Sequence, residues 1–139
     1  TSAAVERAMA LCKEAGAKRA LPLPVSAPFH TLLMKPAAER LAAEIEKATF
    51  RAPRCRIVHN VNAAMESSPE AIKTLMIQQI YSPVLWVDCV KRLVAEGVTT
   101  TVECGPGKVL SGLGKRIERD LATLAIDTEA SLAEALTNV

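Results

Sequence analysis

The segment Leu21-Pro22-Leu23-Pro24-Val25-Ser26-Ala27-Pro28-Phe29-His30 constrains this chain more than any other. Pro22, Pro24 and Pro28 have no N–H to give to a sheet, and each pushes the residue before it toward extended geometry. The backbone is therefore stiff up to Phe29. Beyond it, Leu32, Leu33, Leu41, Ile45 and Ala48 recur at helical spacing, with Glu39, Arg40, Glu44 and Lys47 mostly off that stripe. Pro36 falls near the start of the predicted helix, where proline is tolerated. His30 is thus expected close to a helix N-terminus, whose positive end favours a neutral imidazole able to act as a base. A helix cap or a half-buried loop residue is the competing reading. Base catalysis further requires a nucleophile within reach.

The rest of the chain alternates between helix and strand patterns. Residues 3–15 read as a helix with Val5, Met9 (or Ala8) and Cys12 on one face, preceded by a Thr1-Ser2 cap and stopped by Gly16. Residues 18–23 and Arg56–Asn62 read as strands. Ser68-Pro69-Glu70 carries a serine cap, a first-turn proline and an acid, so a helix follows with Ile72, Leu75, Met76 and Ile80 inward. Tyr81-Ser82-Pro83 ends it. A helix over about 84–96 is predicted with Val84, Val87, Val90 and Val94 (or Leu93) inward, closing on Gly97. Thr99–Cys104 is strand-like, Gly105-Pro106-Gly107 turns into a helix over 108–119, and Leu121–Ile126 and Ser131–Leu136 give a last strand and helix. Such alternation predicts α/β layers on a mainly parallel sheet, with ligands expected outside the carboxyl ends of its strands.

Composition narrows the function classes. At 139 residues and 50% hydrophobic, the chain is one domain-sized unit at most. Phe29, Phe50, Tyr81 and Trp86 are its aromatic residues, so the core must be aliphatic. A formal charge of +2 with no aromatic-plus-basic stripe gives no argument for nucleic acid. No apolar run approaches the roughly 20 residues of a membrane span, and no signal-peptide layout occurs. Cys12, Cys55, Cys89 and Cys104 are spaced neither as zinc ligands nor as a dense disulfide framework. Buried reduced thiols in a cytoplasmic protein are expected. The chain opens on Thr1 rather than methionine, and we expect it to start partway through a longer protein.

Few motifs carry chemistry. Glu103–Gly112 is glycine-rich, but a phosphate loop would need glycine at Val102 and Ser or Thr at Val109. A tight strand-to-helix turn is the reading that remains. His59 has no companions at metal-ligand spacing, so no metal site is predicted and a structural role is expected. Lys108, Lys115, Arg116 and Arg119 form a basic set, either a solvated face or a surface for an acidic partner. No G-x-S-x-G elbow occurs around any serine, and the cysteines sit in apolar or strand contexts rather than activated ones. If His30 is a base, its nucleophile lies outside these residues.

Several motifs occur together in one order: Leu21–His30, Leu33-Met34-Lys35-Pro36-Ala37, Phe50-Arg51-Ala52-Pro53, Asn60-Val61-Asn62, Gln78–Trp86 and Glu103–Leu110. In this arrangement the chain closely resembles the C-terminal part of the malonyl-CoA:acyl carrier protein transacylases of bacterial fatty acid synthesis, from about residue 1 to about 136. The resemblance implies an α/β-hydrolase-like large subdomain over 25–139, preceded at 1–24 by the last helix and strand of a ferredoxin-like small subdomain. It implies transfer of malonyl from coenzyme A to the phosphopantetheine thiol of acyl carrier protein through an acyl-serine. In that family a serine in a G-H-S-L-G elbow is the nucleophile and an arginine holds the malonyl carboxylate. His30 then matches the catalytic base, Gln79 the residue whose backbone carbonyl orients it, and Phe29 a substrate-binding position associated with malonyl selection. No cofactor is implied beyond the coenzyme A thioester, which is a substrate. The implied partners are malonyl-CoA, acyl carrier protein and the remaining N-terminal part of the same protein, which carries the serine and arginine. Nucleic acid and membrane are not among them. The chain alone is expected to be inactive. A reading from a different class is a non-catalytic α/β module that binds an acidic protein through its basic helix.

Overall fold

The computed structural model describes residues 1–137; Asn138 and Val139, the end of the expected large subdomain, lie outside the described residues. In chain order the elements are α1 (Ser2–Glu14), a 3-10 turn (Leu32–Met34), α2 (Lys35–Lys47), α3 (Pro69–Gln79), α4 (Trp86–Ala95), β1 (Thr100–Cys104), α5 (Val109–Ile117), β2 (Ala122–Ile126) and α6 (Glu129–Thr137). The α/β class holds. β1 and β2 pair in parallel, from Thr100 opposite Ala122 to Cys104 opposite Ile126, and α5 connects them. A parallel pair needs such a crossover. α5 packs on both strands, α6 on β2 and α4 on α5, while α2 and α3 pack on each other. Gly114 makes the α5–β2 contact close: a Cβ there would meet Thr123 Cγ2 at 3.3 Å.

Helix ends follow the predicted chemistry. Ser68 Oγ accepts from the Ala71 N–H, Pro69 opens α3 and Glu70 sits in its first turn. Thr1 caps α1, and Gly16 and Gly97 end α1 and α4 at φ +92° and +88°, conformations that glycine adopts without strain. Gly105 and Gly107 also have positive φ, as the tight-turn reading of this segment requires.

Two predicted strands do not form. Residues 18–23 run extended without a ladder, because Pro22 and Pro24 cannot donate to one; Leu21 and Leu23 stay 69% and 77% exposed. The 56–62 strand shrinks to one antiparallel bridge, Val58 with Met65. Turn chemistry overrides β propensity there. The His59 carbonyl accepts from Ala63 N–H at 2.9 Å, Ala63 has φ +51°, and Asn62 Oδ1 accepts from Ala64 N–H.

The core is small and aliphatic: Ala38, Ile45, Ile72, Cys89, Val90, Leu121 and Ala135 are buried. Helix faces differ from prediction in three places. On α4 the inward stripe is Trp86, Cys89, Val90 and Leu93; Val84, Val87 and Val94 are exposed. The two stripes are neighbours on the helix, and packing against α5 selects one. Met76 of α3 and the stripe Leu32, Leu33 and Leu41 are also exposed, since no described element covers them. All four cysteines are free thiols, as expected, but the expected burial holds only at Cys89; Cys12, Cys55 and Cys104 are exposed.

Candidate active site

The stiff segment ends in a sequence of tight turns. Phe29 N–H donates to the Ala27 carbonyl at 2.9 Å, and Thr31 Oγ1 donates back to the Pro28 carbonyl at 2.8 Å. Between them His30 takes φ +59°, a left-handed conformation uncommon for a residue with a Cβ. Two bonds hold it there. Its backbone N–H donates to the Ile80 carbonyl at 3.3 Å, and Nδ1 lies 2.9 Å from the Gln79 carbonyl oxygen. A carbonyl only accepts, so Nδ1 carries a proton, and in the neutral ring Nε2 keeps its lone pair. His30 is exposed, and Nε2 has no partner among the described residues. The imidazole is therefore oriented at one nitrogen and open at the other, as a proton acceptor must be.

The dipole of α2 does not act on His30. The 3-10 turn at Leu32–Met34 separates His30 from α2, and dipole effects fade beyond the first turn of a helix. The helix end that touches His30 is instead the carboxyl end of α3. Sequence reasoning missed Ile80, whose carbonyl is the second anchor. The Ser82-Pro83 stop was the available signal, because a helix that ends there leaves its last carbonyls free. Near this junction Lys35 Nζ lies 5.7 Å from the centre of the Tyr81 ring, a cation–π contact between the start of α2 and the residue after Ile80.

Phe29 is 52% exposed, beside His30 in sequence. An apolar groove of about 750 Å³ runs between α1 and the extended segment, lined by Val5, Met9, Leu21, Leu23, Val25 and Pro28. A second cavity, about 340 Å³, lies between α5, β2 and α6 and is bordered by Lys108 and Lys115. Neither includes His30.

The buried thiol of Cys89 is not an activated nucleophile. Burial, with the nearby Asp88 carboxylate, pushes the Cys89 thiol up, opposite to activation. Its Sγ donates to the His59 carbonyl at 3.6 Å. His59 is itself buried within its turn. Among the described residues no group of three His, Cys, Asp or Glu could hold a metal ion. At the end of β1, the Glu103 carboxylate accepts from Ser111 N–H and Oγ–H at 2.8 Å and from Leu110 N–H at 3.1 Å. The Ser111 N–H bond, above all, holds the Glu103 carboxyl below the usual carboxylate range. The residue was absent from the predicted site, and it ties β1 to the first turn of α5.

No family model matches the chain. It is similar to malonyl CoA-acyl carrier protein transacylase from Salmonella typhimurium, 52% identical over 134 residues, which is 96% of this chain and 43% of that protein. Among solved structures, an acyl-carrier-protein S-malonyltransferase from Burkholderia pseudomallei superposes with TM-score 0.92 at 49% identity, covering 99% of this chain and 45% of that one. A malonyl-transacylase solved in complex with a type II PKS acyl-carrier protein gives TM-score 0.92 at 48% identity, covering 98% and 44%. The chain thus spans less than half the length of the proteins it matches.

Proposed function

We infer that the chain belongs to the malonyl-CoA:acyl carrier protein transacylases and forms the portion that carries their histidine base. In this reading the full-length protein moves malonyl from coenzyme A to the phosphopantetheine thiol of acyl carrier protein. Residues 1–24 are then the end of a small ferredoxin-like subdomain, and residues 25–139 part of an α/β-hydrolase-like large one. The observation that carries the chemistry is the 2.9 Å contact from His30 Nδ1 to the Gln79 carbonyl, with Nε2 left open.

In this reading the chemistry runs in two transfers. Nε2 takes the proton of a serine hydroxyl, supplied from outside these 139 residues, as its oxygen attacks the malonyl thioester carbon. The tetrahedral intermediate collapses, the C–S bond breaks, and the imidazolium returns the proton to the departing coenzyme A thiolate. The acyl-serine is then attacked by the phosphopantetheine thiol, whose proton passes to Nε2 and on to the serine oxygen as it leaves. The Gln79 carbonyl keeps the ring in one tautomer and orientation throughout, the part a carboxylate plays in a triad. Phe29, next to the base, crowds the substrate α-carbon. The coenzyme A thioester is the substrate, and no further cofactor takes part. Malonyl-CoA, acyl carrier protein and the N-terminal part of the protein are the partners, in a cytoplasmic setting.

The test uses the chain and its full-length protein in parallel, each incubated with malonyl-CoA and analysed by intact mass. The full-length protein should gain one malonyl group on a serine and lose it when holo acyl carrier protein is added. The 139-residue chain should gain none. Acylation of a serine within the chain, or a full-length protein that never acylates, would overturn the assignment.

A further inference from the structure

The carbonyl that orients His30 is available for a reason written four residues later. In an α-helix the carbonyl of residue i accepts from the N–H of residue i+4. For Gln79 that residue is Pro83, which has no N–H, and whose ring clashes with the i−4 carbonyl if the helix continues. α3 accordingly stops at Gln79, and its last turn tightens: Ile80 N–H reaches the Ile77 carbonyl at 3.4 Å and Tyr81 N–H the Gln78 carbonyl at 3.2 Å. The carbonyls of Gln79 and Ile80 project beyond the helix at the negative end of its dipole. His30 takes both, one through the ring and one through the backbone N–H.

We propose that Pro83 is a positioning residue for His30: by withholding an N–H it keeps the Gln79 carbonyl free to hold the imidazole in its Nδ1–H form. The two carbonyls also offset the strain of a left-handed histidine at φ +59°. An N–H at position 83 would give Gln79 an intrahelical donor, let α3 add a turn and release the ring to rotate. The consequence for turnover rests on His30 being the base; the consequence for the tautomer does not.

Two variants of the full-length protein separate the missing donor from mere rigidity. Pro83→Ala restores an N–H. Replacing Pro83 by lactic acid, an ester-linked analogue of alanine, removes the ring but still offers no donor. The ring tautomer of His30 is read from two-bond proton–nitrogen correlations, alongside steady-state malonyl transfer. Pro83→Ala should turn a single Nδ1–H population into a mixture and lower kcat by about 10–100-fold with KM little changed, the scale expected when a catalytic group is misplaced. The lactate variant should keep the native tautomer and stay within about threefold of native kcat. Pro83→Ala with an unchanged tautomer, or a lactate variant that loses it, would overturn the proposal. Should the alanine variant fail to fold, the lactate variant decides alone by the same criterion. Retention of full transfer by His30→Ala would overturn only the base assignment, because the tautomer measurement is independent of turnover.

Discussion

At the end of β1, polar groups find partners close by in the chain: Glu103 reaches Leu110 and Ser111, and Ser111 Oγ also reaches the Leu124 carbonyl at 3.2 Å. At His30 the anchoring carbonyl is 49 residues away, at the last residue of α3. The first region closes on itself, with α5 packed on both strands and α6 on β2. The second is a junction, flanked by Leu32 and Leu33 at 70% and 75% exposure, and its order comes from the end of α3. A locally satisfied unit can hold its shape whatever surrounds it. A junction built from remote partners has its geometry set by how distant elements pack, so it is sensitive to small changes there and insensitive to many side chains.

The sharpest way to separate the two regions is to remove the group that each one positions. With His30 as the base proposed above, His30→Ala in the full-length protein should lower kcat/KM for malonyl transfer by about 10²–10⁴-fold, the usual contribution of a general base. In the 139-residue chain, unfolding should change little, because His30 is exposed there. A variant that folds and retains native turnover would remove His30 from the mechanism and leave the junction without a purpose. Phe29→Ser comes next. One methyl group is worth about 1–3 kcal/mol of discrimination in a pocket, so specificity constants for malonyl and methylmalonyl thioesters should converge by about 10–200-fold. An unchanged ratio would place Phe29 outside the acyl pocket.

The same division governs what could be read from the residues alone. Thr100–Cys104, the Gly105-Pro106-Gly107 turn and Ala122–Ile126 were legible because propensity, turn chemistry and packing agree there. Ser68-Pro69-Glu70 announced α3 for the same reason. The α4 face differs from the expected one, since a valine stripe and the stripe Trp86, Cys89, Val90 and Leu93 lie side by side and packing against α5 chooses between them. The stretches 18–23 and 56–62 looked like strands by propensity, yet a strand needs a partner edge, and periodicity says nothing about where one is. At the junction, the prolines made the stiffness of the loop legible and the family resemblance suggested the Gln79 contact. The left-handed backbone of His30 and the Ile80 anchor were not legible, because both depend on where α3 ends in space.

The local unit should respond to acid pH through Glu103. Glu103 has its carboxyl held low by the Ser111 N–H, then by the Ser111 hydroxyl and Leu110 N–H. A carboxyl lowered on folding stabilises the native state fully above its unfolded value, about 4.3. That contribution disappears as pH falls through the lowered native value. Glu103→Gln should therefore unfold at a lower temperature than the parent above about pH 5, and the two melting temperatures should converge toward pH 3. Activity at neutral pH should stay within about threefold. A gap in melting temperature that is constant from pH 6 to pH 3 would mean that the charge of Glu103 is irrelevant to the clasp.

The smallest expected effect is the most informative about the junction. Gln79 holds His30 with its backbone carbonyl, and no side-chain atom of Gln79 takes part in that contact. Replacing the side chain leaves the carbonyl in place, and alanine suits the last turn of a helix at least as well as glutamine. Gln79→Ala should thus leave kcat/KM within about threefold of native, against the orders of magnitude expected for His30→Ala. The residue is half-buried, so a modest fall in melting temperature is compatible with this outcome. A loss as large as that of His30→Ala, in a variant that still melts cooperatively, would mean that the side chain rather than the carbonyl orients the imidazole. The junction would then depend on side-chain chemistry, as the Glu103 clasp does.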